Sequence, residues 1–481
     1  MRISLIGLIV AAAGPVNRPA AGQPLPAPPG ARVVTLPRHP SDVSGESSVA
    51  IDPKDARHVL VAYQQFLPPD PKLAKRGIRK LDVHVARSDD GGATWTIAPG
   101  TAPTNYHVSG DPSVTFDLHG HAFLGYIGFD HVGQTWYWGK GATRNGIFVR
   151  RSLDGGRTWE ATPTPLIEYP TMPNPPFQDK GYLVADNRAG SPYAGNLYLG
   201  WTRYTLEKSE ILFARSTDDG KTWSAPITIS TDSGLPRGSQ PGAVVGFQGA
   251  VGNDGTIYCI WPDGQAIVMA VSRDGGKTFE RSRRVVATTP PLFPNVDQFP
   301  GANGLPTVAI DPRSAPGRVL LAWGDYRSGD FDILSASSED GGTSWSAPAR
   351  VNDDPVHDGS DQVLSWMTVD PSDGSVYAMF YDRRGDSTNV LPTVTLARST
   401  DGGKTFVNYA WTRKPADPKR ANFGDYVGLA ALNGRVYGAW VEPAPPANAA
   451  RGKAPVSSIG QSLGAAMIRI GIADFSASER H

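Results

Sequence analysis

The sequence predicts an all-β propeller of four-stranded blades, with seven blades favoured, six as the alternative, and the ring closed by an N-terminal strand. Three observations carry that prediction. An eight-residue box recurs six times, short apolar strands recur in seven pairs, and 54 Gly and 43 Pro among 481 residues supply tight turns without a collagen-like period.

The box has the form S-x-D-x-G-x-[TS]-[WF] and begins at Ser88, Ser152, Ser216, Ser272, Ser338 and Ser399. Successive starts lie 64, 64, 56, 66 and 61 residues apart, which leaves room for four short strands and their loops per unit. Each Asp can accept backbone N–H groups across its own turn, and each Gly allows backbone angles closed to other residues. The aromatics, Trp95, Trp159, Trp223, Phe279, Trp345 and Phe406, are expected to pack between neighbouring sheets.

An apolar strand precedes every box, for example Val83 to Arg87 and Ile211 to Arg215. Ahead of it lies a strand pair, first Ser48 to Asp52 with His58 to Tyr63, then copies such as Ser113 to Asp117 with Ala122 to Ile127. The seventh pair, Tyr426 to Ala430 with Arg435 to Trp440, is followed by a third strand at Met467 to Ala473 but by no box. The unassigned apolar segment Arg32 to Leu36 is expected to supply the missing outer strand and cover an open edge.

Residues 1–22 read as a secretory signal peptide: Met1-Arg2, an apolar stretch from Ile3 to Ala13, then small residues. Residues 23–31 form a Pro-rich spacer, and 32–481 a single propeller domain. A secreted or periplasmic location is expected. The apolar stretch is shorter than the roughly 20 residues that cross a bilayer, so no membrane span is predicted. Lysine and arginine (46) balance aspartate and glutamate (46) without basic runs, which argues against a nucleic-acid partner. The single cysteine, Cys259, excludes an intrachain disulfide and reads as a small buried core residue. The nine histidines are dispersed, no metal-ligand spacing occurs, and neither metal nor cofactor is expected. A monomer is expected.

Connectivity alone assigns the faces. In an up-and-down blade the boxes share one face with the turns inside each strand pair, so they are read as structural, and the opposite face carries the loops for chemistry. Those loops are polar: they include Asp325-Tyr326-Arg327, Asp382-Arg383-Arg384, Gly45-Glu46, Gly110-Asp111, Gln178-Asp179-Lys180, Asp361-Gln362 and Gly424-Asp425-Tyr426.

Six such boxes in a propeller resemble the Asp-box proteins of the sialidase (neuraminidase) superfamily, and the resemblance covers about Arg32 to Asp474. It implies an exo-α-sialidase with three arginines on the sugar carboxylate, a tyrosine nucleophile assisted by a glutamate, and an aspartate acid/base, a departure from the two-carboxylate scheme. In family order the matching positions here are Arg38, Asp111, Glu207, Arg327, Arg383 and Tyr426. Asp111, Glu207 and Tyr426 are the expected catalytic residues, and Arg38, Arg327 and Arg383 the substrate-binding ones. The first arginine departs from the family motif, since it lies in Leu36-Pro37-Arg38-His39-Pro40. Two alternatives stay open: a hydrolase of a neutral glycan using paired carboxylates such as Asp111 with Asp179 or Asp361, and a non-catalytic glycan- or protein-binding propeller.

Overall fold

A computed structural model describes residues 24–37, 43–67, 80–98, 106, 108–131, 142–236, 242–290, 296, 299, 304–313, 317–421, 423–445 and 465–476. The leader and Arg38 lie outside these residues. The described chain is all-β, with one short 3₁₀ turn at Pro418–Arg420. No helix among them is long and apolar enough to cross a membrane.

The strands fall into repeated antiparallel meanders. The first comprises β1 (Arg32–Thr35), which stands apart, then β2 (Val43–Asp52), β3 (Asp55–Phe66), β4 (Leu81–Ser88) and β5 (Thr96–Ala98). Next come β6 (Val108–Phe116), β7 (Ala122–His131), β8 (Ala142–Ser152) and β9 (Thr164–Tyr169). Four separate four-stranded sheets follow. They are β10 (Phe177–Ala185), β11 (Leu197–Tyr204), β12 (Ser209–Ser216), β13 (Ile227–Thr228); then β14 (Gln248–Val251), β15 (Ile257–Asp263), β16 (Ala266–Ser272), β17 (Arg283–Ala287). After them come β18 (Thr307–Asp311), β19 (Arg318–Asp325), β20 (Asp332–Ser338), β21 (Ala349–Arg350); then β22 (Gln362–Val369), β23 (Val376–Asp382), β24 (Thr393–Ser399), β25 (Val407–Ala410).

The chain ends with β26 (Gly428–Leu432), β27 (Arg435–Pro443) and β28 (Ala466–Asp474), and β1 adds antiparallel to β28 with Arg32 opposite Ile472. The Leu36 N–H extends this pairing to the Ile468 carbonyl at 3.2 Å, and its side chain is buried. Single parallel bridges, Val43 to Ala466 and Leu81 to Val108, tie this last group, the first and the second into one extended sheet. The first strands of successive groups pack side by side from β2 through β6, β10, β14, β18 and β22 to β26, which packs on β2 again.

Each box closes its own turn as expected. In the first, Ser88 Oγ donates to Asp90 Oδ1 at 2.9 Å, and the Thr94 N–H and hydroxyl donate to the two carboxylate oxygens at 2.9 and 2.6 Å. The box glycine is required for a second reason: Gly92 has φ +82°, and a Cβ there would lie 2.5 Å from Ile472 of β28. Gly156 likewise abuts Leu60 of β3, so a box is the point where one sheet presses on its predecessor.

Between the sheets sit the large apolar side chains. Trp201, Trp261, Trp323 and Trp440, each on the second strand of its group, are fully buried. Three of their indole N–H groups find an acceptor: Trp201 on Gln178 Oε1 at 2.7 Å, Trp323 on Asp325 Oδ2 at 2.8 Å, and Trp440 on Glu442 Oε1 at 2.9 Å. Cys259 is buried in β15 as a small apolar residue.

The first strands begin earlier than the apolar pattern implies. Ser48 to Asp52 becomes Val43–Asp52, Ser113 to Asp117 becomes Val108–Phe116, and Tyr182 to Asp186 becomes Phe177–Ala185. The register slips at Gly45/Ser47, Gly110/Ser113, Asp179/Tyr182 and Val363/Trp366, and the bulges break the period-two alternation that marks a strand in sequence.

Candidate active site

Those bulges build the site. At the equivalent position of four first strands, six residues before a terminal aspartate, stand Glu46, Asp111, Lys180 and Leu364, all with positive φ (37°, 51°, 53° and 51°). Positive φ in such residues costs about 1–3 kcal/mol each and is commonly kept where function needs a side chain re-aimed. The aspartates at the far ends, such as Asp52 and Asp117, cap the next turn through the Lys54 and His119 N–H groups. That end is the box end, because the Gly91 N–H bonds the Arg57 carbonyl at 2.9 Å. The bulges therefore lie about 20 Å away, at the opposite end of the strands.

Asp111 is the hub of this end. Its Oδ2 accepts the Lys180 backbone N–H at 2.8 Å, and the carboxyls of Glu46 and Asp179 both hydrogen-bond to it. Burial, then the charge of Asp111, pushes the Glu46 and Asp179 carboxyls well above the usual range, and their hydrogen bonds to Asp111 favour the protonated forms. Asp425 is raised too, chiefly by desolvation, with Lys180 opposing the rise and Asp111 adding to it. It keeps solvent-accessible surface, whereas Glu46 and Lys180 are 8% exposed.

Glu46 fits because Gly424 has no side chain: with φ +74°, a Cβ at Gly424 would come within 2.4 Å of Glu46 Cγ. Lys180 lays its Nζ 3.3 Å from the centre of the Tyr426 ring. The Tyr426 hydroxyl donates to the Pro112 carbonyl at 3.4 Å and also hydrogen-bonds Glu46. Burial and then the charges of Glu46, Asp111 and Asp425 push the phenol well above its usual value. Beside it, a small pocket is walled by Leu305, Pro306, Phe331, Leu364 and Trp366 as well as by Lys180, Asp425 and Tyr426. The Trp366 ring lies 6.4 Å from Tyr426 and 5.6 Å from Tyr182.

The residues expected from sequence divide sharply. Asp111 and Tyr426 meet here, joined through Glu46. Glu207 does not: it is exposed on the turn between β11 and β12, where its N–H donates to Thr205 Oγ1, and Glu46 stands against the tyrosine instead. Arg327 forms a two-pronged pair with Asp325, at 2.9 and 2.8 Å, and donates to the Ala287 carbonyl. Arg383 is fully buried against Asp361 at 3.3 Å and over the Phe299 ring at 5.6 Å. Both arginines tie loops together, and among the described residues the cation acting on Glu46, Asp179 and Asp425 is Lys180. Asp361, the alternative carboxylate, is committed to Arg383, Asn389 and the Phe331 N–H. Arg38 lies outside the described residues.

Glu46, Lys180 and Asp425 are the members that sequence reasoning did not select. The signal was present, since Glu46 precedes Asp52 by the same six residues that separate Asp111 from Asp117 and Lys180 from Asp186.

Among the described residues, Asp117, His121 and Asp219 bring one metal-ligand atom each within 4.8 Å of one another. The Asp117 carboxylate is already occupied by the His119 and His121 N–H groups and by His121 Nδ1. The group lies at the box end, and the site described above draws nothing from it.

No family model matches the chain. Among curated proteins it is similar to a sialidase of Bacteroides fragilis (strain YCH46), 27% identical over 226 residues, or 41% of this chain and 37% of the relative. It is also similar to a xyloglucanase of a Paenibacillus species, 24% identical over 63% of this chain and 26% of that protein. The matched stretch thus spans about a third of these relatives' length. Among solved structures, a K499G mutant of the NanB sialidase of Streptococcus pneumoniae superposes over 92% of this chain and 97% of its own, with 9% identity and a TM-score of 0.49. The match to a curated sialidase, in a chain assembled from repeated boxed sheets, supports a likeness to the sialidase-like superfamily.

Proposed function

We propose that the protein is an exported, monomeric glycoside hydrolase acting on a glycan without a carboxylate at the cleaved sugar. Its catalytic groups are carboxyls gathered at the centre of a seven-bladed propeller that β1 closes as the outer strand of the last blade. The observation that carries the reading is the carboxyl chain Glu46–Asp111–Asp179, which is joined by its own hydrogen bonds and tied to no arginine among the described residues. Carboxyls close enough to share a proton behave as one acid, since both cannot ionise together. Asp179, held protonated against Asp111, is the proton donor to the leaving oxygen. Asp425, the solvent-exposed carboxyl of the group, whose rise from desolvation Lys180 opposes, is the base or nucleophile. The circuit of neighbouring first strands supports the seven-bladed ring. The apolar stretch Ile3 to Ala13 supports export.

The exo-α-sialidase reading is the second. The curated sialidase match and the Tyr426–Glu46 hydrogen bond favour it. Two observations weigh against it. A tyrosine nucleophile needs a neighbouring base or a lowered pKa, and here burial pushes both the phenol and the Glu46 carboxyl up. Arg327 and Arg383 are also spent on Asp325 and Asp361.

Chromogenic α-L-arabinofuranosides, β-glucosides, xyloglucan oligosaccharides and a fluorogenic α-sialoside, tested side by side, decide between them. Turnover of a neutral glycoside is expected, falling about 10²–10⁴-fold in Asp179→Asn and in Asp425→Asn and little in Tyr426→Phe. Turnover confined to the sialoside and abolished by Tyr426→Phe would establish the second reading, and no turnover at all would leave a binding propeller.

A further inference from the structure

The strand that carries Asp179 is irregular just where that residue stands. β10 pairs with β11 from Phe177 to Asp179, opposite Tyr204 to Thr202, and resumes at Tyr182 opposite Gly200, so Lys180 and Gly181 bulge out against the single residue Trp201. The ladder therefore stops fixing the chain at Asp179. In the first strands of the two preceding groups the equivalent residue is a glycine, Gly45 or Gly110, with no side chain to aim. Here a carboxyl must be kept within hydrogen-bond reach of Asp111 on β6, and a misplacement of about 1 Å costs a catalytic group much of its effect.

A side chain outside the carboxyl cluster grips this stretch. Asn145, near the start of β8 in the preceding group, is 1% exposed; its Oδ1 accepts the Gln178 N–H at 3.1 Å, and its Nδ2 donates to the Pro176 carbonyl at 3.1 Å. Those partners fix the orientation of the amide, because a backbone N–H only donates and a carbonyl only accepts. A second amide tightens the same stretch: Gln178, fully buried, donates its Nε2 to the Pro176 carbonyl at 3.2 Å and accepts the Trp201 indole N–H at 2.7 Å. Beyond Asp179, the Lys180 N–H is held by Asp111 Oδ2 at 2.8 Å. Asp179 is thus anchored on both flanks, to β8 on one side and on the other to the carboxyl that its own side chain meets.

We propose that Asn145 is a positioning residue, whose amide fixes the backbone ahead of the bulge so that the Asp179 carboxyl stays against Asp111. This rests on the hydrolase reading for what the Asp179 proton does, but not for the clasp itself. Three charged groups act on Asp179: Asp111 from β6 and Asp425 from the segment before β26 favour its protonated form, as desolvation does, and Lys180 on its own strand opposes them. Freed from the clasp, the carboxyl moves away from Asp111 toward solvent, and its titration falls toward that of an ordinary aspartate.

The test follows Asp179 by carbon-13 NMR in the full-length protein labelled at its aspartate carboxyls, the resonance being assigned by its loss in Asp179→Asn. In the wild type it is expected to titrate above the ordinary aspartate range. Asn145→Ala should lower the midpoint by about one pH unit or more, and Gln178→Met, which keeps the volume and removes the second amide, should lower it by less, both variants staying folded by circular dichroism. Where a neutral glycoside is turned over, the alkaline limb of kcat/KM should move to lower pH by the same interval in Asn145→Ala, a shift that lost stability alone does not produce.

An unchanged Asp179 titration in folded Asn145→Ala protein would overturn the proposal, as would a wild-type Asp179 that titrates like an ordinary aspartate. Unfolding of both variants would overturn it too, since the amides would then serve the fold and not the carboxyl. A lowered Asp179 titration in Asn145→Ala without turnover of any glycoside by the wild type would sink the hydrolase reading alone. Turnover whose alkaline limb stays in place in Asn145→Ala, with the titration unchanged, would sink this inference alone.

Discussion

A box aspartate takes hydrogen bonds on both carboxylate oxygens, and that fixes how it responds to acid. In Asp90 the Thr94 hydroxyl and N–H hold the carboxyl down to about 2. In Asp154 and Asp274 burial pushes upward, but the hydroxyls and N–H groups of Thr158 and Thr278 outweigh it and bring the carboxyls to about 2 as well. A carboxyl lowered on folding contributes stability above its unfolded pKa, near 4, and loses it as pH falls toward the folded value. Melting temperature should therefore drop steeply between pH 4 and 2, and less steeply in Asp154→Asn. Asp354 has the opposite sign. Burial, partly offset by Arg384 and reinforced by Asp382, pushes it up to about 6, so its contribution is present below about pH 4 and is lost as pH rises through 6. The loss amounts to roughly 3 kcal/mol. Asp354→Asn should flatten that part of the stability profile in thermal scans from pH 4 to 7, and an unchanged slope would show that other groups carry it.

At the scale of strands, β1 is four residues long and only partly buried, yet it covers β28, which would otherwise be an open edge. Removing residues 1–36 should lower the melting temperature by 10 °C or more and promote aggregation, whereas removing 1–23 should leave it unchanged; light scattering during a thermal ramp separates the two. A Trp323→Ala change, emptying a fully buried site on β19, should cost about 3–5 kcal/mol in denaturant unfolding. The strands were legible because apolar runs and boxes repeat at a blade-like spacing, and Arg32 to Leu36 was assigned its place from one unmatched edge. The bulges were not legible. Glu46 and Lys180 sit where alternation breaks, so a pattern search begins the strand just after the residues that matter. The loop arginines misled for a related reason: Arg327 and Arg383 are top-face residues in sequence, but their partners Asp325 and Asp361 consume them. Only coordinates distinguish a cation facing a ligand from one facing a neighbouring loop.

The whole molecule brings Glu46 and Asp425, nearly 380 residues apart, to one spot by the circuit that returns β26 to β2. Four carboxyls and one ammonium at that meeting point press against the packing that unites the sheets. Glu46, Asp179 and Asp425 are all raised by burial, so each favours the folded state only when protonated, and its contribution is lost as pH rises through the folded pKa. The same crowding that keeps a proton on Asp179 for catalysis thus weakens the fold at neutral pH, as expected where an active site is built at the expense of stability. Asp179→Asn should raise the melting temperature at pH 7 by several degrees while abolishing turnover. At low pH, where the raised carboxyls carry their protons, the two proteins should melt within a degree or two of each other. A variant that is inactive but equally or less stable at pH 7 would mean that Lys180 already balances the charge, and that the cluster imposes no strain on the ring.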